Sequence, residues 1–215
     1  MDCTAFVEMP LNRPHVQEKT SEPRQAAPVQ SPHSLIVRAQ AGELQAFNQL
    51  IGDKQALAYN MAFRILRSQE AAADAVQESL IKAYRALASY RGGSFQGWFV
   101  RILINTCYDL LRVQKRHAAA SLDDLPTEIE DATQLADPIE RPEAYAERME
   151  VRHWLEQGIT SLPADQRIAL VLSDVEGYSY QEISEMTDAP IGTVKSRISR
   201  GRSALRDYLL RHKVL

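Results

Sequence analysis

The chain is poor in the residues that covalent and metal chemistry draws on. Its two cysteines, Cys3 and Cys107, stand far apart, so neither a disulfide framework nor a zinc site of recognisable spacing is available. The five histidines are equally scattered: His15 and His33 precede the main helical pattern, while His117, His153 and His212 have no nucleophile or ligand spacing around them. The Gly92, Gly93 pair lacks the lysine and the preceding strand of a phosphate-cradling loop. No apolar run is long enough to span a bilayer, and no segment reads as a signal peptide. Strand-like alternation is missing as well. These absences argue against an enzyme, a metal centre, a cofactor site and membrane insertion, and they point to an all-α protein of the reducing cytoplasm.

What is present is ordinary in bulk and unusual in distribution. With 215 residues, 45% hydrophobic and 25% charged, the chain suffices for one large or two small soluble domains. Its formal net charge of −3 excludes a uniformly basic nucleic-acid binder, so affinity for nucleic acid has to come from local segregation of charge. Segregation is found at the C-terminus, where Lys195, Arg197, Arg200, Arg202, Arg206, Arg211 and Lys213 face a single acid, Asp207.

The stretch Tyr178 to Arg206 organises that charge. Ser179 and Glu182 have the spacing of a capping box, which predicts a helix from Tyr180. Thr187, Asp188, Ala189 and Pro190 end it in a turn. A second helix is expected from Ile191 or Gly192, with Val194, Ile198 and Leu205 on its inner seam and the cations outside. Two helices on a tight turn, the second carrying Lys, Arg and hydroxyl residues in its first turns, suit entry into the DNA major groove.

Taken in order, residues 1–33 are proline-rich and without apolar periodicity, an extension expected to be disordered. Residues 34–117 form a first helical domain. Leu35, Ile36, Ala39, Phe47, Leu50 and Ile51 mark a face interrupted by Gly42, and Leu57 to Leu66 mark another. Ser68 is an N-cap for Gln69 to Ala88, whose seam is Ala72, Ala75, Val76, Leu80, Ala83, Tyr84 and Leu87. Its opposite face carries Asp74, Gln77, Glu78, Lys82 and Arg85, either a solvated stripe or a docking face. After the Gly-rich break Ser89 to Ser94, a helix from Phe95 to His117 turns Phe95, Phe99, Ile102, Leu103, Thr106 and Leu110 inward. Tyr90, Phe95, Trp98 and Phe99 with Arg91, Arg101 and Arg112 have the composition of a single-strand stacking site, or of a plain aromatic core. Residues 118–142 are an acidic linker, and residues 143–215 a second domain ending in the helix-turn-helix (winged-helix-like) unit.

Three stretches, DAVQESLIKAYRAL from Asp74, FQGWFVRILINTCYDLLR from Phe95 and SLPADQRIALVLSDVEGYSYQEISEMTDAPIGTVKSRISRGRSAL from Ser161, resemble bacterial sigma factors of the sigma-70 family, in the extracytoplasmic-function subfamily that keeps only regions two and four. The resemblance implies a promoter-specificity subunit whose partners are core RNA polymerase, promoter DNA and an anti-sigma factor. It implies that Asp74, Gln77 and Glu78 bind core polymerase. It places Thr193, Lys195, Ser196, Arg197, Ser199 and Arg200 on the upstream promoter element. Arg91, Ser94, Phe95, Trp98, Asn105, Asp109 and Arg112 would serve the downstream element and strand melting, the loop capturing a flipped base. Two departures stand out: the loop is a residue shorter than is common, and Gly97 replaces a usual hydroxyl residue. The rival class is a stand-alone helix-turn-helix regulator binding duplex DNA without polymerase.

Overall fold

In a computed structural model, residues 31–120 and 142–214 are described. Residues 1–30 of the proline-rich extension and almost all of the acidic linker expected from the sequence lie outside them; Pro32 and His33, expected in that extension, instead open a helix. Among the described residues every regular element is helical.

The first half is built on α3 (Gln55–Leu66), α4 (Gln69–Ala86) and α5 (Phe95–Ala120), with α1 (Pro32–Gln40) and α2 (Leu44–Gly52) packed at one side. Each start has a local cause. The Ser68 Oγ accepts from the amide of Ala71 at 3.2 Å, a cap worth about 1 kcal/mol. It follows directly on Arg67, which ends α3 in a left-handed conformation at φ 66°, so a single tight corner joins α3 to α4. The α4 face turned inward is made of small residues, Ala72, Ala75, Ser79 and Ala83. Small side chains let helices approach closely, and α4 lies against α3 and α5 over Met61, Ala62, Ile65, Phe99, Leu103, Ile104 and Cys107, each at most 1% exposed. Burial pushes the Cys107 thiol up to about 12, so it is an inert core residue rather than a reactive one.

Sequence periodicity misplaced some side chains. Tyr84, expected in the α4 seam, is 40% exposed. Its ring instead meets Phe47 of α2 edge-on at 5.2 Å, because position 84 falls on the shoulder between seam and stripe. Leu80, Ile102, Leu110 and Leu205 are half-buried rather than central.

The second half is α6 (Pro142–Ser161), α7 (Ala164–Leu170), α8 (Tyr180–Thr187) and α9 (Ile191–Arg211), with one π-helical turn, Val171–Val175, after α7. Two glycines bring α9 onto its neighbours. A Cβ at Gly158 of α6 would lie 2.5 Å from a Leu205 methyl, and one at Gly201 of α9 would lie 3.4 Å from the carbonyl oxygen of Gln166. Arg167, only 5% exposed, donates from Nη1 to the Thr160 carbonyl at 2.9 Å and so closes the end of α6. Burial, with Arg67 nearby as a smaller cause, pulls its pKa down to about 10.

The two halves pack directly on one another, α8 against α5 and the π-helical turn against α3. A Cβ at Gly97 would sit 3.6 Å from the terminal methyl of Met186, so the residue that departs from the family pattern lies where α8 covers α5. Gln96 donates to the Tyr178 hydroxyl at 3.2 Å. Arg64 faces Glu176 at 3.5 Å.

Candidate nucleic-acid interface

The helix-turn-helix is assembled by short-range contacts. Ser179 Oγ accepts from the Glu182 amide at 3.3 Å, and Glu182 accepts from the Ser179 amide at 2.8 Å, which completes the expected capping box. Asp188 ends α8 in the left-handed region at φ 52°. The Ser184 hydroxyl donates to the Ala189 carbonyl at 2.6 Å, and Pro190 then starts α9. The turn is thus held at both ends before any tertiary contact is counted.

On α9, Val194 and Ile198 are at most 1% exposed and point into the core. That rotation leaves Lys195, Ser199 and Arg200 exposed, while Thr193, Ser196 and Arg197 are half-buried. Ser196 donates to the Thr193 carbonyl at 2.9 Å. Arg197 is turned inward, 3.0 Å from Asp165 on α7. Arg202 serves the fold: it binds Asp174 with two hydrogen bonds of 2.7 and 2.8 Å, ties α9 to the π-helical turn and holds the Asp174 carboxyl below its ordinary range. Of the three cations expected to face the upstream element, Lys195 and Arg200 are therefore the exposed ones.

The loop between α4 and α5 is built differently. A 3₁₀ turn, Leu87–Ser89, leads into Tyr90, whose hydroxyl donates to the Gly93 carbonyl at 2.7 Å. Gly92 and Gly93 take φ of 104° and 91°, a conformation that costs an L-residue strain and glycine none. Ser94 Oγ accepts from the Gly97 amide at 3.0 Å, an N-cap for α5. Tyr90, Phe95 and Trp98 form a mutual ring cluster with centroids 5.3 to 5.8 Å apart. Of the two readings left open by the composition, the free chain adopts the aromatic core for these two rings: Tyr90 is 7% and Phe95 8% exposed, because burying two large rings outweighs offering them to solvent. Trp98 is half-buried and Arg91 exposed.

Along α5, Asn105 is exposed, and Asp109 and Arg112 pair at 3.3 Å. On α4, Asp74, Gln77 and Glu78 are all exposed. Glu78 contacts Lys82 at 2.9 Å, and Lys82 donates to Thr106 at 3.1 Å, so a polar chain runs from the stripe to α5. The stripe also carries Ile81, 45% exposed. The sequence reading omitted it, although it lies three and four residues beyond Glu78 and Gln77 on the same face.

The packing of the halves brings the two proposed reading surfaces together. Asn105, Tyr108, Asp109 and Arg112 of α5 line one cleft with Asp165, Asp188 and Arg197. Tyr108 at its floor is pushed up to about 12, mainly by burial and then by Asp165. Among the described residues, no group of three or more His, Cys, Asp or Glu side chains is placed to hold a metal ion, and no helix is long and apolar enough to cross a membrane.

Among the described residues, then, an all-helical fold presents a helix-turn-helix whose second helix carries exposed cations, and a separate glycine-turned loop. Residues 50–117 match the family model Sigma-70 region 2, and residues 152–205 match Sigma-70, region 4. The chain is 39% identical over 173 residues to the ECF RNA polymerase sigma-E factor of Escherichia coli K12, covering 80% of this chain and 90% of that protein. It is 32% identical over 212 residues to the ECF RNA polymerase sigma factor SigE of Mycolicibacterium smegmatis, covering 97% and 80%. Among solved structures it resembles the sigma factor RpoE bound to the anti-sigma factor NepR from Bartonella quintana, with TM-score 0.63 and 25% identity over 77% of this chain and 98% of that one. The fold is also that of CnrH in complex with the cytosolic domain of CnrY, with TM-score 0.58 and 22% identity over 84% and 97%. The chain belongs to the sigma-70 family, in its extracytoplasmic-function group.

Proposed function

We propose that this protein binds core RNA polymerase and directs it to particular promoters, contributing DNA-reading surfaces and no bond chemistry of its own. The observation that carries the reading is the presence, in one chain, of a pre-set cationic helix and a separate exposed polar stripe that includes Asp74, Gln77 and Glu78. A stand-alone duplex binder has no use for the second surface. In this reading α9 approaches the upstream element, with Lys195 and Arg200 in front and Thr193, Ser196, Arg197 and Ser199 around them. Phosphate contacts set register and base-edge contacts set sequence. Arg91, Ser94, Phe95 and Trp98 then hold the melted downstream strand, with Asn105, Asp109 and Arg112 beside it. The stripe on α4 docks polymerase, and residues 34–117 and 143–215 act as the two working domains.

This division of labour requires the two halves to part. Sites one turn apart on duplex DNA are already about 34 Å distant, whereas Arg197 and Asp109 line the same cleft. The polar links that cross between the halves and would break on opening include the Arg64 to Glu176 ion pair, at 3.5 Å, and the Gln96 to Tyr178 hydrogen bond. An anti-sigma factor, the kind of partner bound to the Bartonella quintana protein, would act by favouring the packed arrangement. The cytoplasm, where polymerase works, is the proposed location. Run-off transcription on a promoter library with core polymerase tests the function: transcripts that depend on this protein support it, and none at all, with duplex binding retained, points to the stand-alone regulator.

A further inference from the structure

The polar row on the exposed edge of α4 meets a second one on α5. Glu78 and Lys82 stand four residues apart on α4, and Asp109 and Arg112 stand three apart on α5, spacings that bring side chains together on one face of a helix. Beneath these rows the two helices pack without slack: Ala75, Ser79 and Ala83 of α4 and Leu103, Ile104 and Cys107 of α5 are all 0% exposed. A contact packed to that degree does not deform continuously. The charged rim above it is the part that can rearrange.

Lys82 sits at the centre of that rim. Its ammonium lies 2.9 Å from the Glu78 carboxylate and 3.9 Å from that of Asp109, and it donates to the Thr106 hydroxyl at 3.1 Å. Thr106 is 0% exposed and donates its own hydroxyl proton to the Ile102 carbonyl at 3.0 Å, so it is a fixed pivot beneath the ammonium. An ammonium has three donors and no acceptor, which lets it serve either carboxylate. Asp109, within ion-pair reach of Lys82 but beyond a hydrogen bond, is meanwhile engaged by Arg112 at 3.3 Å. The observed arrangement is therefore Lys82 on Glu78 and Arg112 on Asp109. A small swing of Lys82 about Thr106 gives a second arrangement, with Lys82 on Asp109. Lys82 and Asp109 keep a partner in both; in the second, Glu78 and Arg112 are released.

The two released charges are the ones that the proposed function employs, Glu78 in the polymerase-docking stripe and Arg112 beside the downstream strand. We propose that Lys82 is a positioning residue that couples the two surfaces by exchanging partners. A donor on polymerase that takes Glu78 sends Lys82 to Asp109, and Asp109 then gives up Arg112 to a DNA phosphate. The inference rests on the reading of Asp74, Gln77 and Glu78 as the docking face and adds its link to α5. Coupling between binding sites is reciprocal, so loosening Arg112 from Asp109 favours polymerase in turn. Glu78, Asp109 and Arg112 are exposed and Lys82 is half-buried, which sets the scale of the coupling at a few-fold.

The test needs no DNA. The affinity of the full chain for core polymerase is measured by competition against a fluorescently labelled wild-type chain. Arg112→Gln, on α5 and outside the stripe, should tighten polymerase binding about threefold, the scale of one exposed ion pair, and the gain should shrink as salt is raised. In a Lys82→Met or an Asp109→Asn background the same Arg112→Gln substitution should change nothing, because the path from α5 to Glu78 is cut. A Lys82 that only holds α4 on α5 would shift the melting temperature and leave the response to Arg112→Gln intact. If Lys82→Met does not fold, Asp109→Asn decides. No tightening in Arg112→Gln, or a tightening that persists in either background as an effect of bulk charge, overturns the relay and leaves the docking reading standing. Failure of the wild type to bind core polymerase overturns both.

Discussion

The α9 helix and the α4–α5 loop are both DNA-reading elements in the proposed function, but the free chain presents them in opposite ways. On α9 the cations Lys195 and Arg200 stand in solvent on a helix whose start is set by a proline and a capped turn. In the loop, the rings of Tyr90 and Phe95 are buried against one another. The contrast follows from their targets. Duplex DNA exists before the protein arrives, so a rigid, exposed reader is useful at once. Unpaired bases exist only after melting, and rings left exposed until then would cost solubility and invite misassociation. Mutating α9 should therefore separate binding from stability, and mutating the loop should not.

The largest effect should come from a surface of the α9 type. Asp74→Ala with Gln77→Ala and Glu78→Lys should abolish co-purification with core polymerase and with it transcription, since a few central residues of a docking face can carry several kcal/mol. All three side chains are exposed, so the melting temperature should hold, with stability altered by about 0.5 kcal/mol or less. Undiminished polymerase binding in a pull-down would reduce the stripe to solvated surface.

Next in size is Phe95→Ala. Removing a ring that is 8% exposed should cost about 3–5 kcal/mol of stability along with promoter opening, read by denaturant melts and permanganate footprinting. Lost opening with an unchanged melt would show that Phe95 is free to stack after all. Lys195→Ala should cost about 1–3 kcal/mol of discrimination at a single upstream base pair and leave the melt alone. A uniform loss across all sequences would demote Lys195 to a phosphate contact.

The smallest effects concern two neighbouring carboxylates with opposite pH signatures. Asp174 is held low by its Arg202 hydrogen bonds, so its contribution is present above the ordinary carboxylate range and is lost as pH falls through its depressed value. Glu176 is pushed up by burial, with Arg64 opposing. Its contribution is therefore greatest below the ordinary range and is lost as pH rises through the raised value. At neutral pH, Asp174→Asn should destabilise and Glu176→Gln should stabilise, each by about 1 kcal/mol or less. Melts across the acid range check this, and the same sign for both variants would contradict the assignment.

Much of this protein was legible in its sequence because the signals are local. A capping box spans Ser179 to Glu182, an N-cap needs only Ser68 and Ala71, and the 3.6-residue period places Val194 and Ile198 inside and Lys195 outside without reference to any partner. The exposure of Asp74, Gln77 and Glu78 followed from the same period. What could not be read were outcomes of competition between distant elements. Phe95 had one composition compatible with stacking or with core, and only the approach of Tyr90 and Trp98 decided for core. Tyr84 left its seam because Phe47, on another helix, offered an edge. Gly97 marked a departure from a pattern, and its meaning appeared only when Met186 was found over it. Gln40 carried no motif, since a glutamine acquires a role only from the carbonyls within its reach, here those of Leu87 and Tyr90, 47 and 50 residues away. Helix ends and helix faces are determined over one turn of chain; which faces meet depends on the total burial that three-dimensional packing can achieve.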